Sequence, residues 1–105
     1  MGKINDFDQI GRIYRIKHME TSYDLLIAML HEYEKDSNVI GDEVFMAVAK
    51  ELYYKLDNYL TSKAWKDDFG ADEARLLPED LKRGVLSEDG LYNLLSDVRE
   101  AFIDL

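Results

Sequence analysis

Between Asp6 and Lys35 the apolar residues Ile10, Ile13, Ile16, Met19, Tyr23, Leu26, Leu30 and Tyr33 recur every three or four positions without a break. That spacing places them along one stripe of an α-helix. Asp6 is expected to cap it, with Gln9 three residues on in the capping-box position. An unbroken helix over this span is about 45 Å long at a rise of about 1.5 Å per residue. Such a helix is not stable alone in water, so the rest of the chain must supply a neighbour of comparable length.

The turn and cap residues Asp36-Ser37-Asn38 and Gly41-Asp42 interrupt the pattern. A second amphipathic helix is predicted from Asp42 to Leu60, where Val44, Val48, Leu52, Leu56 and Leu60 recur every fourth residue beside Phe45, Tyr53 and Tyr59. A short link between two long helices implies an antiparallel hairpin. The last helix is the best delimited. Ser87 is a natural N-cap, Glu88 and Asp89 place negative charge in the first turn, and Leu86 and Leu91 hold the positions of a hydrophobic staple. Its buried stripe is Leu91, Leu94, Leu95, Val98, Phe102 and Leu105. No run alternates with period two long enough to argue for a sheet.

The stretch from Trp65 to Leu95 is too apolar for a linker, and before the last helix it lacks helical periodicity. Thr61 or Ser62 could cap a short helix through Trp65 that Gly70 would end. Pro78 suits the first position of another helical turn, with Gly84 closing it. The expected fold is therefore all-α: a long antiparallel helical hairpin plus a C-terminal helix, a three-helix bundle. An ordered irregular segment lies between helices two and three, and residues 1–105 form one helical domain.

With 47% hydrophobic residues, 105 residues suffice for a core, and 33% charged residues do not make the chain disordered. The net charge of −9 repels a phosphate backbone and an anionic membrane, so neither nucleic acid nor membrane is an expected partner. There are no cysteines, which excludes disulfides, a thiolate nucleophile and a cysteine zinc site. The N-terminus reads neither as a signal peptide nor as a myristoylation signal, where Asp6 replaces the required Ser or Thr. A cytoplasmic location is expected.

Six carboxylates, Asp67, Asp68, Asp72, Glu73, Glu79 and Asp80, fall within fourteen residues. Their spacing is not that of an EF-hand, and Arg75, Lys82 and Arg83 are close enough to pair with them. Salt bridging is therefore expected rather than a calcium or magnesium site, and no cofactor is implied. His18 and His31 lack the spacing that converges two ligands on one ion, so both are expected at the surface. There is no nucleophile elbow and no phosphate loop. Trp65 is expected to plug the end of the bundle, its alternative being an exposed anchor for a partner. Tyr53, Tyr54 and Tyr59 cannot share one stripe, so at least one should lie at a boundary. Arg83 is expected to bind one of Asp68, Asp72 or Glu73 and fasten the irregular segment to the helices.

SKAWKDDFGADEARLLPEDLKRGVLSEDGLYNLL at residues 62–95 resembles the C-terminal half of a small bacterial family known only as a domain of unknown function, number 4298. RIKHMETSYDLL is similar to that family's opening helix, with Arg15, Ile16, Met19, Glu20, Tyr23 and Asp24 on matching positions. The second helix departs from the pattern in being more aromatic and in the glycine at Gly41. The resemblance implies a small helical protein and brings no activity with it.

With no catalytic motif in the sequence, the leading functional expectation is a small acidic, non-enzymatic interaction module. It would dock a basic protein as an inhibitor, an immunity-type antidote or an accessory factor, aided by charge steering. The candidate partner-binding or structural cluster is Trp65, Asp68, Asp72, Glu73, Asp80, Lys82 and Arg83. A second expectation is a self-associating helical protein whose stripes are widened by Tyr14, Ile27, Met29 and Tyr54. A third is an enzyme using carboxylates between Asp67 and Asp80, with or without a divalent ion.

Overall fold

The helix from Asp6 does run unbroken to Lys35, and we label it α1. The computed structural model describes residues 6–104, so the expected cap by the Asp6 side chain and the burial of Leu105 lie outside the described residues. A 3-10 turn at Ser37–Gly41 follows, held by the Asp36 carboxylate accepting from the Asn38 N–H at 3.0 Å. α2 spans Glu43–Leu60, and its cap is Asp42, which accepts from the Val44 and Phe45 N–H groups at 2.9 and 3.1 Å. The link is short because two aspartates satisfy backbone donors that a loop would otherwise leave open.

α1 and α2 run antiparallel. Lys55 Nζ lies 3.3 Å from His18 Nε2, whereas at the other end Tyr33 and Phe45 both pack edge-on against Phe102, with centroids 5.2 and 5.6 Å away. α4, Glu88–Val98, runs parallel to α1 against both, since Gly90 sits by Tyr23 and Phe102 by Tyr33. The body measures 56 × 20 × 20 Å, the shape of long helices packed side by side. Ile16, Leu26, Leu56, Leu91, Val98 and Phe102 are fully enclosed between them. Each such side chain contributes about 1.5–3 kcal/mol by leaving water.

Every element among the described residues is helical, but there are four helices where three were expected. The additional one, α3, spans Lys63–Glu73 with Ser62 as its cap, its hydroxyl accepting from Trp65 N–H at 3.1 Å. Gly70 does not end it but lies inside it. One glycine costs a helix only about 1 kcal/mol, and the buried Trp65, Asp68 and Ala71 on one face outweigh that. The stop comes later. Arg75 takes a left-handed backbone at φ 58°, Arg75 N–H donates to Asp72 O at 3.0 Å, and Leu76 N–H donates to Ala71 O at 2.9 Å. This is a Schellman closure with arginine where glycine is usual.

Nor does Pro78 begin a helix that Gly84 closes. Pro78 opens a single turn, its carbonyl accepting from Leu81 N–H at 3.2 Å, and Gly84 opens the 3-10 turn Gly84–Leu86. Ser87 caps α4 through Gly90 N–H at 3.2 Å, with Leu86 and Leu91 both buried as the staple requires. Beyond Val98 the chain widens into a π-turn, Arg99–Ile103, instead of continuing as α-helix. Two stripe assignments also fail: Ile10 and Val44 are 50% and 73% exposed, because both point outward at helix starts before the core begins. Ile27 and Met29, expected on a self-association surface, pack in or against the core instead.

Candidate functional site

Asp68 is the one acid of the 67–80 segment that is wholly enclosed, at 0% exposure. α3 places it on the same face as Trp65 and Ala71, so it enters the interior with them. Arg15 of α1 meets it with a two-pronged bond, Nε to Oδ2 at 2.8 Å and Nη2 to Oδ1 at 2.5 Å. The Tyr59 hydroxyl donates to Oδ2 at 2.6 Å. Arg12 adds a second positive charge, its Nε 3.4 Å from Oδ1 but making no hydrogen bond. The Asp68 hydrogen bond raises the Arg15 pKa above its ordinary value, while burial, and then Asp68, raises that of Tyr59. Three elements are thus tied at one carboxylate whose oxygens already hold three donors. That is the arrangement of a structural joint rather than of a poised acid or base.

Arg83 does bind one of the three expected acids. Its Nη1 pairs with Asp72, Nη2 donates to Pro78 O at 2.5 Å, and Nε donates to Leu81 O at 3.2 Å. The guanidinium therefore closes the 78–83 turn on itself and fastens it to α3. Asp68 is not part of this pair, and Glu73 is exposed and without an ion pair among the described residues. Trp65 is not an exposed anchor. It is buried, stacks on Phe69 at 5.1 Å, and donates from Nε1 to Val85 O at 2.8 Å. The expected cluster thus divides into two separate joints.

Lys82 and Asp80 belong to a third place, a groove of about 370 Å³ between α1 and the 78–82 turn. Lys82 leaves its own segment to bond Asp24 of α1 at 2.6 Å, which raises the lysine pKa. Glu20 also lines the groove, although only 4% of it is exposed, and its Oε1 accepts from Val85 N–H at 2.6 Å. Burial, then the charges of Glu20 and Asp24, raises the Tyr23 pKa. Gly84 packs closely here, since a Cβ would lie 3.1 Å from Tyr23 Cε2 and 3.2 Å from Glu20 Oε1 and both side chains would have to give by a few tenths of an ångström.

Arg15, Tyr59 and Glu20 were not singled out for these roles by the sequence. The usable signal was a carboxylate inside an apolar stripe: Glu20 follows Ile16 by four and precedes Tyr23 by three, and Asp68 stands between Trp65 and Ala71. His18 and His31 are exposed. Of the three tyrosines, Tyr54 is the one at the surface, with Tyr53 and Tyr59 buried. Among the described residues no three acids or histidines are grouped to hold a metal ion, and no helix is long and apolar enough to cross a membrane.

These features define a helical domain fastened at one buried carboxylate, Asp68, and at the half-buried pair of Arg83 with Asp72. The model of the family described as Domain of unknown function (DUF4298) matches residues 16–105, and the chain belongs to that family. No curated protein and no solved structure matches it.

Proposed function

We propose that this chain is a small acidic interaction module that docks a basic protein as an inhibitor, an antidote or an accessory factor. In this reading α1, α2 and α4 form a three-helix scaffold and the 76–86 segment is a fixed part of its surface. One observation carries it: α1 exposes large apolar side chains on the face away from its core. Opposite the core stripe of Ile16 and Leu26, Ile10, Tyr14 and Leu25 stand exposed. Their offsets of four and fifteen residues put them on one outward face. Ile10 and Tyr14, one turn apart, with Leu25 beyond Thr21, offer a partner apolar contact area on that face. The net charge of −9 over the whole chain favours a basic partner and speeds its approach. Capture of a basic protein by the wild-type chain, weakened by salt and lost on Tyr14→Ser with Leu25→Ser, is the expected result. Capture that survives both changes counts against it.

Self-association is a second reading with its own support. Ile10, Tyr14, Thr21 and Leu25 are placed symmetrically about the midpoint between Lys17 and His18. Two α1 helices packed antiparallel there would set Ile10 on Leu25 and Tyr14 on Thr21, the self-complementary match a two-fold interface needs. Light scattering decides: a monomer at micromolar concentration removes this reading. A carboxylate-dependent enzyme is less well supported, because Asp68 is held by Arg15, Arg12 and Tyr59.

A further inference from the structure

Glu20 is buried with no cation on it. Lys82, beside it in the groove, is bonded to Asp24, and Arg12 and Arg15 are turned to Asp68. Among the described residues its one hydrogen bond comes from Val85 N–H to Oε1, so Oε2 receives none. Oε2 is not sealed off from the groove that Glu20 lines, so a donor entering there can reach it. A neutral amide oxygen would still accept from Val85 N–H, less strongly than the carboxylate does, so that bond alone does not call for a charge here.

We propose that the groove receives an arginine side chain of the partner protein, its guanidinium on Glu20 Oε2; this rests on the partner reading above. The groove's composition favours that occupant. Ile13 and Leu81 offer an apolar wall for a methylene stem, and exposed Asp80 stands at the rim without an ion pair among the described residues. Three carboxylates against Lys17 and Lys82 leave the lining one charge negative, which suits one incoming cation. A guanidinium is weakly hydrated and carries five donors in a plane, enough to satisfy Oε2 and a second acceptor together. An ammonium is more strongly hydrated, and so costs more to bring to a buried acid.

The test is a titration of the ¹⁵N-labelled chain with N-acetyl-arginine amide, with N-acetyl-lysine amide alongside. Saturable amide shifts at Thr21, Gly84 and Val85 are expected with the arginine compound. Binding should weaken about tenfold in Glu20→Gln, the loss of one charge-assisted bond. Asp80→Asn, on an exposed side chain, should weaken it about twofold to threefold and keeps the test open should Glu20→Gln not fold. Equal response to the lysine compound, no shifts, or shifts unchanged in both variants would overturn the proposal. Arginine binding without any captured basic protein sinks the partner reading and leaves a guanidinium site. Capture without arginine binding does the reverse.

Discussion

At Asp68, two arginines and a tyrosine converge on a carboxylate with no access to water. Removing one partner of a fully buried pair costs about 3–5 kcal/mol. Arg15 is 36% exposed, so screening lowers the expectation to about 2–3 kcal/mol for Arg15→Ala. Urea melts measure it directly, and a change under about 0.5 kcal/mol, the size of an ordinary surface substitution, would mean that the joint bears little. Tyr59 adds a pH dependence of known sign. Its folded pKa is raised, so unfolded chains lose the phenolic proton first once the pH passes about 10, and stability falls from there upward. Tyr59→Phe should lose about 1.5–3 kcal/mol at neutral pH with the hydrogen bond to Asp68. It should also flatten the alkaline decline in melting temperature, and an unchanged slope would assign that decline to other groups. Of this joint the sequence offered only Asp68, whose place three residues from both Trp65 and Ala71 sets it on their face. Its partners were not legible, since Arg15 and Asp68 are 53 positions apart.

Helix beginnings were the most readable features of the elements, because a cap is local chemistry. Asp42, Ser62 and Ser87 each accept the backbone donors that the sequence offers them. Helix ends were less readable. Gly70 looked like the stop of α3, yet Arg75 provides it with a left-handed backbone that costs an L-residue about 1 kcal/mol or more. Arg75→Gly should therefore stabilise the chain by up to about 1 kcal/mol. Gly70→Ala should gain a similar amount, about 1 kcal/mol, as the space around that Cβ is empty. Gly84→Ala goes the other way. Its methyl would press on Tyr23 and Glu20 at 3.1 and 3.2 Å, so melting temperature should drop and the Val85 amide should exchange faster. If Gly84→Ala melts like wild type, the turn has room that the 3.1 Å approach does not leave.

On the scale of the whole molecule, the pairing of α1 with α2 followed from the short link between them, but the neighbour of comparable length did not appear, since α2 has 18 residues against the 30 of α1 and α4 packs on α1 as well. The outward apolar face of α1 was the part that the spacing concealed, because Ile10 fits either face until the neighbours are in place. Charge is the remaining global term, and two effects of salt oppose each other. Ion pairs such as Lys63–Asp67 and Lys82–Asp24 are exposed and weaken on screening, though each contributes little. Against them stands the mutual repulsion of 22 acids set against 13 bases, which acts across the whole rod. Raising ionic strength from 0.01 to 0.15 M shortens the screening length from about 30 to about 8 Å. Repulsion between distant acids is then removed, while contacts at hydrogen-bond distance, the buried Asp68 joint above all, keep most of their strength. Stability should therefore rise with salt. A gain of about 1 kcal/mol corresponds to roughly 4 °C in melting temperature for a chain of this size, measurable by calorimetry across that range. A melting temperature that falls instead would show that the surface pairs outweigh the repulsion and that the acidic excess costs the fold little.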